Sequence, residues 1–268
     1  VQQRLSDLGF DPGPIDGVYG SLTRQSVWAF EKLVLGTPRT EATGLVTAEM
    51  WDRMQDPLDV LPRRPTGGLA DHVEIYLPEQ VMIIFHADEP ALITHISSGE
   101  LDENGDPAPY CEDSTITDRN GVVLEEPIQG TSCGEAKTPG GVFTINRMIE
   151  GKRVSPLGGM MNPAYFNYGI AIHGADNVPL EPASHGCIRV NQYIGAYFQT
   201  LLDKGDRVLV WNGEKEPEDI TEDESLPFFD RFTPDSTTTT TTTTTTTVAP
   251  STTQPGTTTV APSTTVPT

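Results

Sequence analysis

Eleven consecutive threonines at residues 237–247, then Val-Ala-Pro-Ser-Thr-Thr beginning at 248 and again at 260, limit what this chain can fold into. A Thr/Pro tract has no apolar area to set against the entropy of ordering it, so residues 237–268 are expected to be a disordered tail. Outside a cell such a tract serves as an O-glycosylated stalk, and unmodified it is a flexible spacer. Residues 212–236 carry nine acids against two bases and read as a solvated acidic segment in which Phe228, Phe229 and Phe232 can dock locally. Setting the tail aside leaves about 230 residues to fold, enough for one small and one medium core.

That part divides at a change of hydrophobic period. Over residues 1–55 the apolar residues follow helical spacing. Val1, Leu5, Leu8 and Phe10 mark a first helix ending near Gly9. Ser21 is the expected N-cap of a second, with Val27, Phe30 and Val34 buried. A third carries Met50, Trp51 and Met54. Residues 56–71, with Pro57, Pro62, Pro65, Gly67 and Gly68, read as an extended linker. From residue 72 the signal is that of strands. His72 to Leu77 alternates in hydrophobicity, while Val81 to Phe85 and Ala91 to Ile96 are continuous apolar runs. Lys137 to Ile145 returns to strand after a polar, loop-like excursion at 99–136. Ala171-Ile172-His173 ends a strand, residues 192–202 read as a helix, and Arg207 to Trp211 closes the domain. The expected class is α+β, a three-helix module at 1–55 followed by a mainly β domain at 72–211.

The balance of 17 Lys+Arg against 38 Asp+Glu gives a net charge of −21, which argues against nucleic acid as a partner because that binding neutralises phosphates with cations. No apolar run approaches the ~20 residues of a membrane span. The chain begins at Val1 on a structured-looking segment, so a signal peptide or anchor is left open. Of three cysteines, Cys111 and Cys133 lie in the polar excursion and Cys187 lies elsewhere. In an exported protein a Cys111–Cys133 disulfide would leave Cys187 free; three reduced thiols is the alternative.

Chemistry concentrates between His173 and Arg189. These 17 residues hold two of the five histidines, one of the three cysteines and an arginine, framed by Gly174 and Gly186. A nucleophilic cysteine needs a base to take its proton, positive charge to favour thiolate, and glycines that let backbone approach substrate. His185 is nearest in sequence and shares the sulfur's face of an extended chain. His173 reaches it only if residues 176–182 fold back. Zinc could be held by His173, His185 and Cys187, but their spacing matches no zinc motif. A phosphate loop at 130–138 fails because Glu135 and Ala136 stand before Lys137 where its second glycine belongs.

Two resemblances sharpen this reading. Asp16-Gly17-Val18-Tyr19-Gly20 followed by Thr23-Arg24-Gln25-Ser26-Val27-Trp28-Ala29-Phe30 resembles the three-helix peptidoglycan-binding module, with Glu31 replacing its usual glutamine. This implies a wall-binding loop at Asp16, Gly17, Tyr19 and Gly20. Thr138-Pro139-Gly140-Gly141-Val142-Phe143, His173-Gly174 and Ser184-His185-Gly186-Cys187-Ile188-Arg189, in that order, resemble the L,D-transpeptidase catalytic domain.

The second resemblance implies that Cys187 is the nucleophile and His173 the general base and acid, oriented by the Gly174 carbonyl. It places the oxyanion donor at the Gly186 backbone and His185 in support. Arg189 is suited to holding a substrate carboxylate or packing the loop, with Ser184 and Lys137 also near substrate. It implies no cofactor or metal. The expected reaction joins third residues of peptidoglycan stem peptides through a Cys187 thioester, in cell-wall organisation and cell shape. The expected setting is extracytoplasmic, at the wall or surface of a bacterium, with glycan and stem peptides as partners and carbapenems as covalent inhibitors. An L,D-carboxypeptidase on the same stems, or a non-catalytic wall-binding protein, are the alternatives.

Overall fold

The structure, a computed structural model, describes residues 1–117, 123–155, 157–228 and 233–234. The Thr/Pro tail, Phe229 and Phe232 lie outside the described residues. The fold is α+β: three N-terminal helices, α1 (Gln2–Asp7), α2 (Ser21–Leu33) and α3 (Ala48–Gln55), precede the strands. Thr47 caps α3 by accepting from the Met50 amide, whereas α2 starts one residue earlier than expected: Gly20 occupies the cap position and Ser21 is already helical.

Strands β1 (His72–Tyr76), β2 (Val81–His86) and β3 (Glu89–His95) form a meander, and β4 (Pro109–Thr117) and β5 (Val123–Glu135) form a long hairpin. They are followed by β6 (Gly141–Thr144), β7 (Arg147–Met148), β8 (Lys152–Ser155), β9 (Gly158–Asn167), β10 (Ile170–Ala175), β11 (Ile188–Asn191) and β12 (Arg207–Trp211). One sheet has the order β3-β2-β1-β12-β6 and a second the order β11-β10-β9-β7, with β8 also pairing β9. The expected helix at 192–202 is shorter: α4 (Gln192–Gly195), then a 3-10 turn at Phe198–Leu201.

The first sheet is covered on both faces. Val73, Ile75, Met82, Ile84, Val208 and Val210 meet Ile172, Ile188, Val190 and Phe166 of the second sheet. The alternate residues Tyr76, Val81, Ile83, Phe85, Leu209 and Trp211 meet Leu5, Phe10, Val27, Phe30, Met50 and Met54 of the helical segment. Side chains alternate across a strand, so two apolar neighbours require an uninterrupted apolar run, and Val81 to Phe85 is that run. On β1 the residues facing the helices include His72 and Glu74, both buried. Glu74 accepts the Arg63 and Arg64 amides at 2.9 and 2.8 Å and is also bonded to the Tyr76 hydroxyl, which ties residues 63–64 to the sheet. Burial raises the Glu74 carboxyl, but bonds from His72, Tyr76 and the two amides outweigh it and the net shift is downward.

Two segments expected to be irregular are organised. The 99–136 excursion contains the β4–β5 hairpin, with Cys111 opposite Cys133 and the two joined as a disulfide. The described part of the acidic segment runs back along the sheets: Asn167 Nδ2 donates to the Ser225 carbonyl, and Arg64 pairs with Glu216 and Glu218.

Candidate functional site

The parallel pairing of β10 with β11 sets His173 opposite Arg189. Residues two apart on an extended chain share a face, so Ala171 and His173 on β10 lie on the same side as Cys187 and Arg189. Ile172, Ile188 and Val190 point the other way into the core. The segment between His173 and Cys187 thus folds back, and His173, Ser184, His185, Cys187 and Arg189 all line one cleft of about 590 Å³. Gly174 sits under them, so close to Gly195 that a Cβ on Gly174 would lie 2.9 Å from its Cα.

His173 is buried, and its Nδ1 lies 3.0 Å from the Gly174 carbonyl oxygen. A carbonyl only accepts, so Nδ1 carries the proton and Nε2 is left with a free lone pair. Burial lowers His173 to about 4, with Arg189 adding to the effect and the Gly174 carbonyl opposing it. Burial pushes the Cys187 thiol up, against the Ala171 amide and Arg189, which favour thiolate. Above about pH 4 the cleft therefore holds a neutral imidazole, while burial favours the thiol form of Cys187 over the thiolate.

The loop around the cysteine is braced from inside. Ser184 Oγ donates to the Cys187 carbonyl at 2.6 Å and accepts the Gly186 amide at 3.0 Å. The Gly186 amide, expected as an oxyanion donor, is thus already engaged, and Ser184 acts as a buttress. Thr138 Oγ1 donates to the Gly186 carbonyl at 2.7 Å. His185 turns to the hairpin: its Nε2 is 2.8 Å from Glu112 Oε1, and its ring stands edge-on to Tyr110 at 4.6 Å. Burial lowers the Arg189 pKa, and no carboxylate lies within 4.0 Å of it among the described residues.

Lys137 is not brought to this cleft. Its ammonium donates to the Glu224 carbonyl at 2.8 Å in a separate cavity. The candidate wall-binding loop is also committed locally: Asp16 accepts from Gln2 Nε2 at 3.0 Å and from the Val18 amide at 2.8 Å. The Gly17 amide donates to Gln2 Oε1, and the Tyr19 hydroxyl donates to the Gly44 carbonyl at 2.6 Å. Gly20 precedes α2 and frames the same loop.

The cleft also contains residues that the motifs did not reach, among them Arg147, Arg153, Tyr165, Asp176 and Asn177. A local excess of base was the available signal: Arg147, Lys152 and Arg153 fall within seven residues of a chain with net charge −21.

The L,D-transpeptidase catalytic domain family matches residues 70–210, and a peptidoglycan binding domain family matches residues 1–54. No significant match is found among curated protein sequences. Among solved structures, an L,D-transpeptidase from Xylanimonas cellulosilytica is 29% identical with a TM-score of 0.59, covering 78% of this chain and 90% of its own. An L,D-transpeptidase from Stackebrandtia nassauensis is 17% identical, with a TM-score of 0.39 and coverage of 79% and 88%.

Proposed function

Since the chain belongs to the L,D-transpeptidase family, we propose that it crosslinks third residues of peptidoglycan stem peptides through a thioester on Cys187. The observation that carries this reading is the pairing, in one cleft, of a free cysteine with a histidine whose Nδ1 proton is committed to the Gly174 carbonyl. As substrate enters, His173 Nε2 takes the Cys187 proton and the sulfur attacks the carbonyl of the third stem residue. The tetrahedral oxyanion is met by the Cys187 amide, because the Gly186 amide is held by Ser184. His173 then returns the proton to the departing amine of the terminal D-alanine, leaving the thioester. An amine from a second stem gives up a proton to His173, attacks the thioester and restores the thiol. With water in place of the amine the same site is an L,D-carboxypeptidase.

In this reading residues 1–54 hold peptidoglycan, Arg189 faces substrate, and the protein acts in an extracytoplasmic setting at the cell wall. Incubation with a disaccharide-tetrapeptide tests the function, with a crosslinked dimer expected from wild type and none from Cys187→Ala. Hydrolysed tripeptide alone would favour the carboxypeptidase. No turnover, together with no carbapenem adduct on Cys187 by mass spectrometry, would leave a wall-binding protein.

A further inference from the structure

We propose that Arg147, Arg153 and Tyr165 form a carboxylate-binding subsite of the cleft, which reads an acidic group on the donor stem peptide away from the bond that is cut. The proposal rests on the stem-peptide reading above and adds to it a preference between acidic and amidated stems.

Four of the ten arginines among the described residues are paired with carboxylates. Arg39 pairs with Glu181, Arg53 with Asp56, Arg63 with Glu79, and Arg64 with Glu216 and Glu218. Arg147 and Arg153 lie within 4.0 Å of no carboxylate among the described residues, and both are held by one tyrosine instead. The Arg147 guanidinium carbon sits 3.9 Å from the Tyr165 ring centroid, and Arg153 Nε donates to the Tyr165 hydroxyl at 3.2 Å. Tyr165 is itself fixed: it is 3% exposed and clusters with Met160 and Ala171, against which Cys187 packs. One guanidinium is thus stacked on this fixed tyrosine and the other bonded to its hydroxyl, and both arginines line the cleft that contains Cys187 and His173.

Sheet register sets the reach. Tyr165 pairs with Ala171 on β10 and with Arg147 on β7, two strands from the β11 end that carries Cys187. At about 4.8 Å per strand this tyrosine lies roughly 10 Å from the sulfur's strand. Three extended residues span that length, as does the side chain of a diamino acid plus part of its neighbour. Carboxylates match the planar donor fork of guanidinium, whereas a carboxamide offers one oxygen and no charge. Two groups of a stem qualify, the side-chain carboxylate of the third residue and the free carboxylate of the second.

The test uses disaccharide-tetrapeptides that are fully acidic, amidated on the third residue, or amidated on the second, with the full-length wild type and an Arg147→Gln/Arg153→Gln variant. Wild type is expected to show a KM lower by roughly tenfold or more for the acidic stem than for one amidated stem, as a charge-assisted pair implies. The amidation that causes the loss identifies the group read. The variant is expected to lose the discrimination through KM rather than kcat, with an unchanged melting temperature, and Arg147→Lys/Arg153→Lys should restore part of it. Turnover with no discrimination by wild type, or discrimination that survives in the variant, overturns the subsite alone. Absence of turnover on every stem overturns the crosslinking reading instead. Calorimetric titration of the same stems then decides the subsite, equal affinities for acidic and amidated forms overturning it.

Discussion

Lys32 gives a test of the packing between the helices and the sheet. It lies on α2, is 2% exposed, and donates from Nζ to the Gln80 carbonyl at 3.0 Å, with His95 Nδ1 2.8 Å away. Burial, reinforced by Arg39, lowers its pKa from the ordinary 10.5 to about 7, and Glu181, Glu31 and Glu79 offset only part of this. A base with a depressed folded pKa has a definite sign. Between pH 7 and 10.5 the unfolded chain holds the proton that the folded chain has released, so stability rises with pH through that window. The slope contributed is up to about 1.4 kcal/mol per pH unit, and the whole shift corresponds to about 5 kcal/mol. Below pH 7 both states are protonated and this contribution is flat. His95 is lowered to about 3, chiefly by burial and then by Lys32, so its own slope is finished by pH 6.5 and leaves the window clear.

Lys32→Met keeps the buried stem and removes the titration. Urea unfolding followed by tryptophan fluorescence, from pH 6 to pH 9.5, should give a wild-type stability that climbs relative to the variant above pH 7. Removing Lys32 also relieves His95, but that titration lies below pH 6.5, so the difference above pH 7 reports on Lys32. Parallel curves would refute the reasoning, because they would mean that Lys32 keeps its proton in the folded state despite its burial.

Three further predictions follow from packing and bonding at other sites. Gly99→Ala would place a Cβ 1.7 Å from the Ala136 carbonyl oxygen, and Gly99 bridges to Ser184, so a stability loss of about 1–3 kcal/mol by urea unfolding is expected, together with slower carbapenem acylation. His173→Ala should lower turnover by about 10²–10⁴-fold, whereas His185→Ala, which breaks the bond to Glu112, should cost far less; equal losses in steady-state assays would overturn the assignment of the base. Reducing Cys111–Cys133 should release the hairpin, whose disulfide restricts the unfolded chain by about 3 kcal/mol, and hydrogen exchange should speed up in β4 and β5 before the rest of the sheet.

The cleft was legible where its residues are local in sequence and framed by glycine, as at Ser184-His185-Gly186-Cys187. Which histidine is the base was not legible from spacing, because that depends on a β10–β11 register between residues 14 apart; only the family resemblance pointed to His173. Lys137 shows the limit of adjacency. Neighbours on an extended chain point opposite ways, so Thr138 reaches the Gly186 carbonyl while Lys137 reaches Glu224. The continuous run at Val81 to Phe85 identified a buried strand, but not that one of its two covers is the helical segment. The β4–β5 hairpin, which Thr233–Pro234 joins along β5, left no apolar signal, since a narrow sheet standing off the core need not bury a face. The short strands β7 and β8 were hidden for a related reason: with two and four residues they show no period.

The helical segment and the cleft meet on one stretch of chain, the segment that joins His173 to Cys187. Gln25 Nε2 donates to the Val178 carbonyl at 3.3 Å, His95 Nε2 is 2.8 Å from the Pro179 carbonyl, and Arg39 pairs with Glu181 at 3.0 Å. These ties differ in strength. The Arg39–Glu181 pair is partly exposed, with 51% of the Glu181 side chain accessible, and is worth at most about 1 kcal/mol. The His95 bond starts from a fully buried ring, and its Nδ1 faces Lys32, so the proton on Nε2 is held where the Pro179 carbonyl accepts it. The segment is thus fixed mainly from beneath, through β3 and α2, and only lightly from its surface. Loss of the His95 bond is therefore expected to slow carbapenem acylation of Cys187 more than loss of Arg39 does, and equal acylation rates by mass spectrometry would overturn that ranking.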